Sequence, residues 1–479
     1  MRSGSRSAKV YLLALSTAFL LAAPWFAPAG GYGSITRFKA AAYLLLTGIF
    51  LLASLPDFPK VEGFSRSPER LLALGYLFFC LLSALCSPWK RSAFLGGSRR
   101  EGFLHIALYV LSFLTLSCRR IPRRGLICAF AAALLVQDGI CFLQLEGVNA
   151  LGLYPPGLGW ADAGLRYAGS YLGTLGNAGQ TGAVLAAASA FLYLSILERG
   201  GRWFLLLPAL ICNAFILAAM DVTGPMLALC LVMLAALLPY GRTRGSLFRW
   251  GGLTLLLLAV LLWRILGAGS ALALTLCGGA LFLLERLLPG QPDSRRLSCI
   301  LLGGICVLGF LLVFTYRGWY TPLREAAALL HGETGDAMGN GRFFIWRQVL
   351  GAVPGHPWLG TGPDTLGLRD LLPYRYVDLV SGQTVTLAID AAHCEVLQTL
   401  ACCGLPAALC HLGLWLCAAA GFFRRHGGRR ICAGAALCYA LQGVFGISVC
   451  ASAPVFWVFL ALSIAPSIKE GGADPEPDE

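Results

Sequence analysis

Residues 339–370 read GNGRFFIWRQVLGAVPGHPWLGTGPDTLGLRD, and residues 389–407 read IDAAHCEVLQTLACCGLPA. Between Asn340 and Gly404 the chain carries arginines, carboxylates, histidines and a Gly-Thr-Gly-Pro turn, then enters a long apolar run. Most of what surrounds this stretch is written for lipid. The chain of 479 residues is 57% hydrophobic and 13% charged, with a mean hydropathy of +0.71. A soluble protein carries about 25% charged residues. Apolar runs of about 20 residues recur along the sequence, each long enough to cross a hydrocarbon core about 30 Å thick. They do not alternate with period two, which excludes a transmembrane barrel. The expected fold is therefore an all-α polytopic membrane protein.

Apolar spans are expected at about 9–26, 40–56, 71–88, 103–117, 125–144, 178–197, 203–220, 223–240, 251–266, 269–288, 297–316, 394–423, 431–447 and 450–467. That makes about 14 transmembrane helices. Residues 1–316 would form the first part of the bundle, with about 11 spans and an outer loop near 146–177. Residues 317–393 would be a long extracytoplasmic loop folded as short helices, and 394–467 the last three transmembrane helices. Residues 468–479, acidic and Pro-rich, would be a disordered cytoplasmic tail. The N-terminus is basic, and although Ala27-Pro28-Ala29 offers a small-residue cleavage site, a retained first helix is expected.

Charge orients this frame. With the N-terminus in the cytoplasm, the connections CRRIPRRG, ERGGR, YGRTRGSLFR and FFRRHGGRR all fall inside, as the positive-inside rule requires. The formal net charge of +13 is thus read as topology, not as nucleic-acid binding. One outer connection, PWKRSAFLGGSRREG, breaks the rule, which marks Arg99 and Arg100 as candidate contacts for an anionic lipid or substrate. The 18 cysteines lie mostly inside apolar runs and read as small hydrophobes.

Within the long loop, TPLREAAALLHG and RFFIWRQVLGAV have helical spacing. Gly339 and Gly341 would interrupt the chain before the second helix, and Pro354 and Pro357 would end it. Arg342 and Arg347 on that helix are candidates for a pyrophosphate group, because a guanidinium donates to two oxygens at once. The alternative is that they pair with acids such as Asp336 or Asp364. Gly360 and Gly362 could expose amides to an anion, or simply end a helix. His393, at the mouth of the next span, sits beside Asp390 and Glu395. It could act as a general base, or cap the helix. No third ligand accompanies His393 and Glu395, so a metal site is not expected.

At this point the chain resembles the O-antigen ligase and polymerase superfamily of bacterial surface-polysaccharide enzymes. The likeness rests on four stretches. They are GNGRFFIWRQVLGAVPGHPWLGTGPDTLG, DAAHCEVLQTLACCGLPA, RYAGSYLGTLGNAGQTGAVLA and SVCASAPVFWVFLAL, within about residues 92–462. The resemblance implies a GT-C type membrane glycosyltransferase, a ligase or polymerase of the cytoplasmic membrane and cell envelope. Its donor would be a glycan on undecaprenyl pyrophosphate, and its acceptor a hydroxyl of a glycan, lipid or protein. The reaction it implies uses no metal or other cofactor. Arg342 would contact the pyrophosphate and His393 would assist the attack. Asn177 falls in the segment similar to the family's Gly-Thr-x-x-Asn-Pro-Asn. The chain departs from the family at Cys394, Gly179 and Thr223, the last where many members carry an arginine. Arg166, Arg347 or Arg317 would then supply that second phosphate contact. The alternative reading is a transporter or flippase of lipid-linked oligosaccharides.

Overall fold

The computed structural model describes residues 2–23, 31–57, 67–97, 99–121, 124–149, 152, 173–288, 292–377 and 384–466. The chain is almost wholly helical. In order, α1 is Arg2–Ala14, α2 Gly31–Ser54, α3 Pro68–Cys86, α4 Lys90–Leu95, α5 Phe103–Ser117 and α6 Arg124–Leu145. Then come α7 Ala178–Arg199, α8 Leu207–Met220, α9 Thr223–Ala235, α10 Leu237–Tyr240, α11 Arg244–Leu261, α12 Trp263–Leu287 and α13 Arg295–Phe314. The loop that follows holds α14 Thr321–Leu330 and α15 Arg342–Ala352, and the chain closes with α16 Glu395–Arg424, α17 Gly427–Gly443 and α18 Ala453–Ile464. Among the described residues, 10 helices are long and apolar enough to cross a membrane, and α5 and α18 are shorter apolar helices. This is a polytopic α-helical membrane protein.

At the centre is α7, whose apolar window is buried throughout. Its sequence, AGQTGAVLAAASAFLYLSILER, is rich in alanine, and small side chains let neighbouring helices approach closely in lipid. Opposite in character are α12 and α13, whose windows are 6% buried, so they lie at the edge of the bundle with apolar flanks outward. The sequence placed spans at 251–266 and 269–288. The chain instead turns at Leu262, with a further break at Gly267, where φ is 80°. Two adjacent apolar runs give no periodic signal of where one stops, which explains the shift.

Helix α16 determines how the polar loop meets the bundle. It kinks at Gly404 (φ 84°, ψ 175°), just before Pro406, which has no N–H to give to the helix. A Cβ on Gly404 would lie 2.0 Å from the Trp358 carbonyl oxygen, so only glycine admits the loop here. Leu405 N–H donates to Pro357 O at 2.9 Å, filling the gap the kink opens.

The loop is more than short helices. Tyr374–Val377 (β1) and Thr384–Leu387 (β2) form a two-stranded antiparallel ribbon with Tyr374 opposite Leu387. Their YRYV and TVTL sequences are rich in aromatic and β-branched residues, which fit a pleated surface. The ribbon departs from the expectation of helices alone. All 18 cysteines are free. At the far end of α16, Arg425 pairs with Glu69 at the start of α3 and donates to Ser463 Oγ of α18 at 2.8 Å.

Candidate functional site

The N-terminus of α15 presents Arg342. Gly339 and Gly341 adopt left-handed backbone (φ 61° and 80°), and a Cβ on Gly341 would overlap the Tyr374 ring at 2.6 Å. The ribbon thus fixes how α15 begins. Arg342 is half-buried, and its Nη1 donates to Gly339 O at 3.0 Å. Its Nε is buried without a hydrogen-bond partner, and the side chain forms no ion pair among the described residues. Burial lowers its pKa, an effect opposed by the charge of Glu325. A buried guanidinium that lacks a carboxylate partner is an anion site in waiting.

The turn before α16 brings His393 to it. Trp346 of α15 donates its Nε1–H to Ala392 O at 2.9 Å, and Ala392 N–H donates to Gln398 Oε1 at 2.7 Å. Held on both sides, the next residue takes left-handed backbone, with His393 at φ 50°. Histidine tolerates this region better than most residues. The His393 ring makes no hydrogen bond among the described residues. Burial, then the charges of Arg342 and Arg99, pull its pKa down to about 4 against the opposing Asp390. The imidazole is therefore neutral, with a ring lone pair free to accept a proton.

Arg99 joins from the connection between α4 and α5. Its Nη2 lies 2.8 Å from Asp390 Oδ2. The loop beneath it is shaped by Asp364, whose Oδ2 accepts from the amides of Gly97 (2.6 Å), Glu101 (3.2 Å) and Arg99 (3.3 Å). Converging amides of this kind form an anion nest, and here the chain fills it with its own carboxylate. Burial lifts Asp364 to about 6 against those three donors and Arg99. Asp390 thus serves as an ion-pair partner of Arg99, and the sequence signal for Arg99 was its place in a basic connection that broke the expected charge pattern.

Several sequence candidates fall elsewhere. Arg347 is exposed and pairs with Asp336 at 2.7 Å. The amides of Gly360 and Gly362 are spent on His356 O (3.0 Å) and Cys402 O (2.8 Å), so this turn offers no nest to a ligand. Both glycines are needed for packing, since a Cβ would lie 2.3 Å from the Cys402 backbone at Gly360 and 2.6 Å from Ser87 Oγ at Gly362. Asn177 caps α7, its Oδ1 accepting from Gly179 N–H at 2.8 Å and Gln180 N–H at 3.3 Å. Its cap is a structural task. Arg166 lies outside the described residues.

Glu395 does not join Arg342 and His393. It lines a separate cavity of about 70 Å³ between the loop and α3, α5, α16, α17 and α18. Glu101 and Asp364 line it too, with the aromatic residues Tyr76, Tyr109, Tyr439 and Trp457. Glu101 accepts from Tyr109 OH at 2.8 Å. Burial and the neighbouring acids Asp364 and Glu395 raise its pKa well above the usual range. Sequence reasoning missed Glu101 because Asp364 and Glu395, the acids that share its cavity, are distant in the chain. Among the described residues, no three His, Cys, Asp or Glu side chains are arranged to hold a metal ion. No protein-family model matches the sequence, and no curated protein matches it either.

Proposed function

We propose that the chain is a membrane glycosyltransferase of the O-antigen ligase kind. It takes a glycan from undecaprenyl pyrophosphate and passes it to an acceptor hydroxyl at the outer face of a bacterial cytoplasmic membrane. In this reading the chain crosses the bilayer about 14 times, both termini are cytoplasmic and the polar loop faces outward. The observation that carries the proposal is that a half-buried Arg342 with no ion-pair partner among the described residues lies with a neutral His393 that makes no hydrogen bond among them. The first suits a phosphate and the second suits a hydroxyl.

In the reaction, the acceptor oxygen bonds to the anomeric carbon and gives its proton to a ring nitrogen of His393. The bond from that carbon to the pyrophosphate oxygen breaks, and its electron pair leaves on the pyrophosphate. Arg342 donates hydrogen bonds to the charge that develops there, the largest electrostatic task in the step. Arg99 adds positive potential from the second side, and its Asp390 partner keeps it directed at the site.

The test is glycan transfer in membranes carrying Arg342→Ala or His393→Ala. Each variant should accumulate normally yet lose transfer by about 100-fold or more, with the lipid-linked precursor building up. Normal transfer by either variant sinks the assignment.

A further inference from the structure

We propose that the cavity lined by Glu101, Asp364 and Glu395 is a binding site for an ammonium group. It is distinct from the Arg342–His393 pair and is not needed for the reading above. The Glu395 side chain is 4% exposed. Its Oε1 is buried with no hydrogen-bond partner, and the residue lines the cavity. A buried carboxylate oxygen without a donor is costly, so the fold keeps it only if something else supplies the hydrogen bond.

Charge on the cavity wall gives the ligand its sign. Three carboxylates line it against one guanidinium, that of Arg99, whose Nη2 pairs with Asp390. The imidazole of His411 is engaged through Nδ1 with Thr399 Oγ1 at 3.0 Å, and its Nε2 lies 4.0 Å from Glu395 Oε2, beyond hydrogen-bond reach. Like charges this close hold protons or recruit a cation. Burial and the neighbouring acids raise Glu101 well above the usual carboxylate range, so it holds a proton that a cation would displace.

Shape and wall chemistry select the kind of cation. The acids are not disposed to ligate a metal ion. The wall is instead aromatic, with Tyr76, Tyr109, Tyr439 and Trp457, and carboxylates set among aromatic rings recognise ammonium groups. The volume of about 70 Å³ holds several waters or one group the size of methylammonium.

The experiment is thermal unfolding of the full-length protein in detergent, with methylammonium chloride titrated against NaCl and KCl at equal ionic strength. A saturable rise in Tm of about 3 °C with methylammonium is expected. It should exceed that of either salt and be absent in Glu395→Gln. If Glu395→Gln elutes as an aggregate, Glu101→Gln takes its place and should weaken binding at least tenfold by calorimetry. No saturable rise, a rise matched by NaCl, or the same rise in the variant overturns the proposal. Glucosamine and N-acetylglucosamine, titrated in the same way, identify the source. A response to glucosamine as well as methylammonium, with none to N-acetylglucosamine, places the ammonium on a sugar, and a response to methylammonium alone places it on a small free amine. No transfer assay enters, so failure here is separate from failure of the transferase reading.

Discussion

In the proposed transfer His393 is the base, and burial first, then its charged neighbours, set its strength. Its neutral form accepts the proton, and that form persists down to a pKa of about 4. The acid limb of kcat/KM, which reports the free enzyme, should therefore fall only near that value and be flat above about pH 5. Removing a positive neighbour raises the imidazole pKa. Arg99→Gln should move the limb upward toward the ordinary value of 6.5, because it deletes a cation that depresses the imidazole and keeps the opposing Asp390. A limb near 6.5 in the unsubstituted protein would show that the arginines exert no such field. Arg342 and His393 were legible in the sequence because a polar side chain in an apolar chain stands out. The tie from Asp364 to Gly97 was not, because it spans 267 residues and leaves no local pattern.

At the scale of elements, the site depends on how α15 is pinned to the turn before α16. Trp346→Phe keeps the ring packed beside Phe343, whose centroid is 5.6 Å away, and deletes the donor to Ala392 O. The loss to stability should be about 1 kcal/mol, while kcat falls about tenfold as His393 loses its fixed position. Paired measurements of Tm and transfer would separate these effects. Gly360→Ala should act differently. The added methyl meets the Cys402 backbone at 2.3 Å from a residue at φ 62°, so the substitution should destabilise the fold by more than about 2 kcal/mol. Unchanged stability with weakened substrate binding would instead restore the anion-nest reading of that turn. The helices α15 and α16 could be read from spacing, prolines and glycines. The ribbon was harder, since YRYV and TVTL are short and their pairing depends on the Gly341–Tyr374 contact.

On the scale of the whole molecule, the bundle is locked at two ends by different chemistry. At one end the Gly-Thr-Gly-Pro turn seats on α3 and α16, with Ser87 Oγ donating to Thr361 O at 2.6 Å. At the other, Glu69 pairs with Arg425. Glu69→Ala would strand a partly buried guanidinium and should cost about 2 kcal/mol, seen as a lower Tm with pH dependence of transfer unchanged. The membrane class was plain from composition, but which helices sit inside was not, because every span is apolar and only the small residues of α7 hint at its central place. The loop that carries Arg99 takes its shape from Asp364 and Asp390, which the ribosome delivers more than 260 residues later. Membrane insertion proceeds from the N-terminus, so most of the bundle is in place before this loop can be set. In the transferase reading, a chain arrested partway through synthesis would be an inert passenger in the bilayer, and transfer would begin only when the last third arrives.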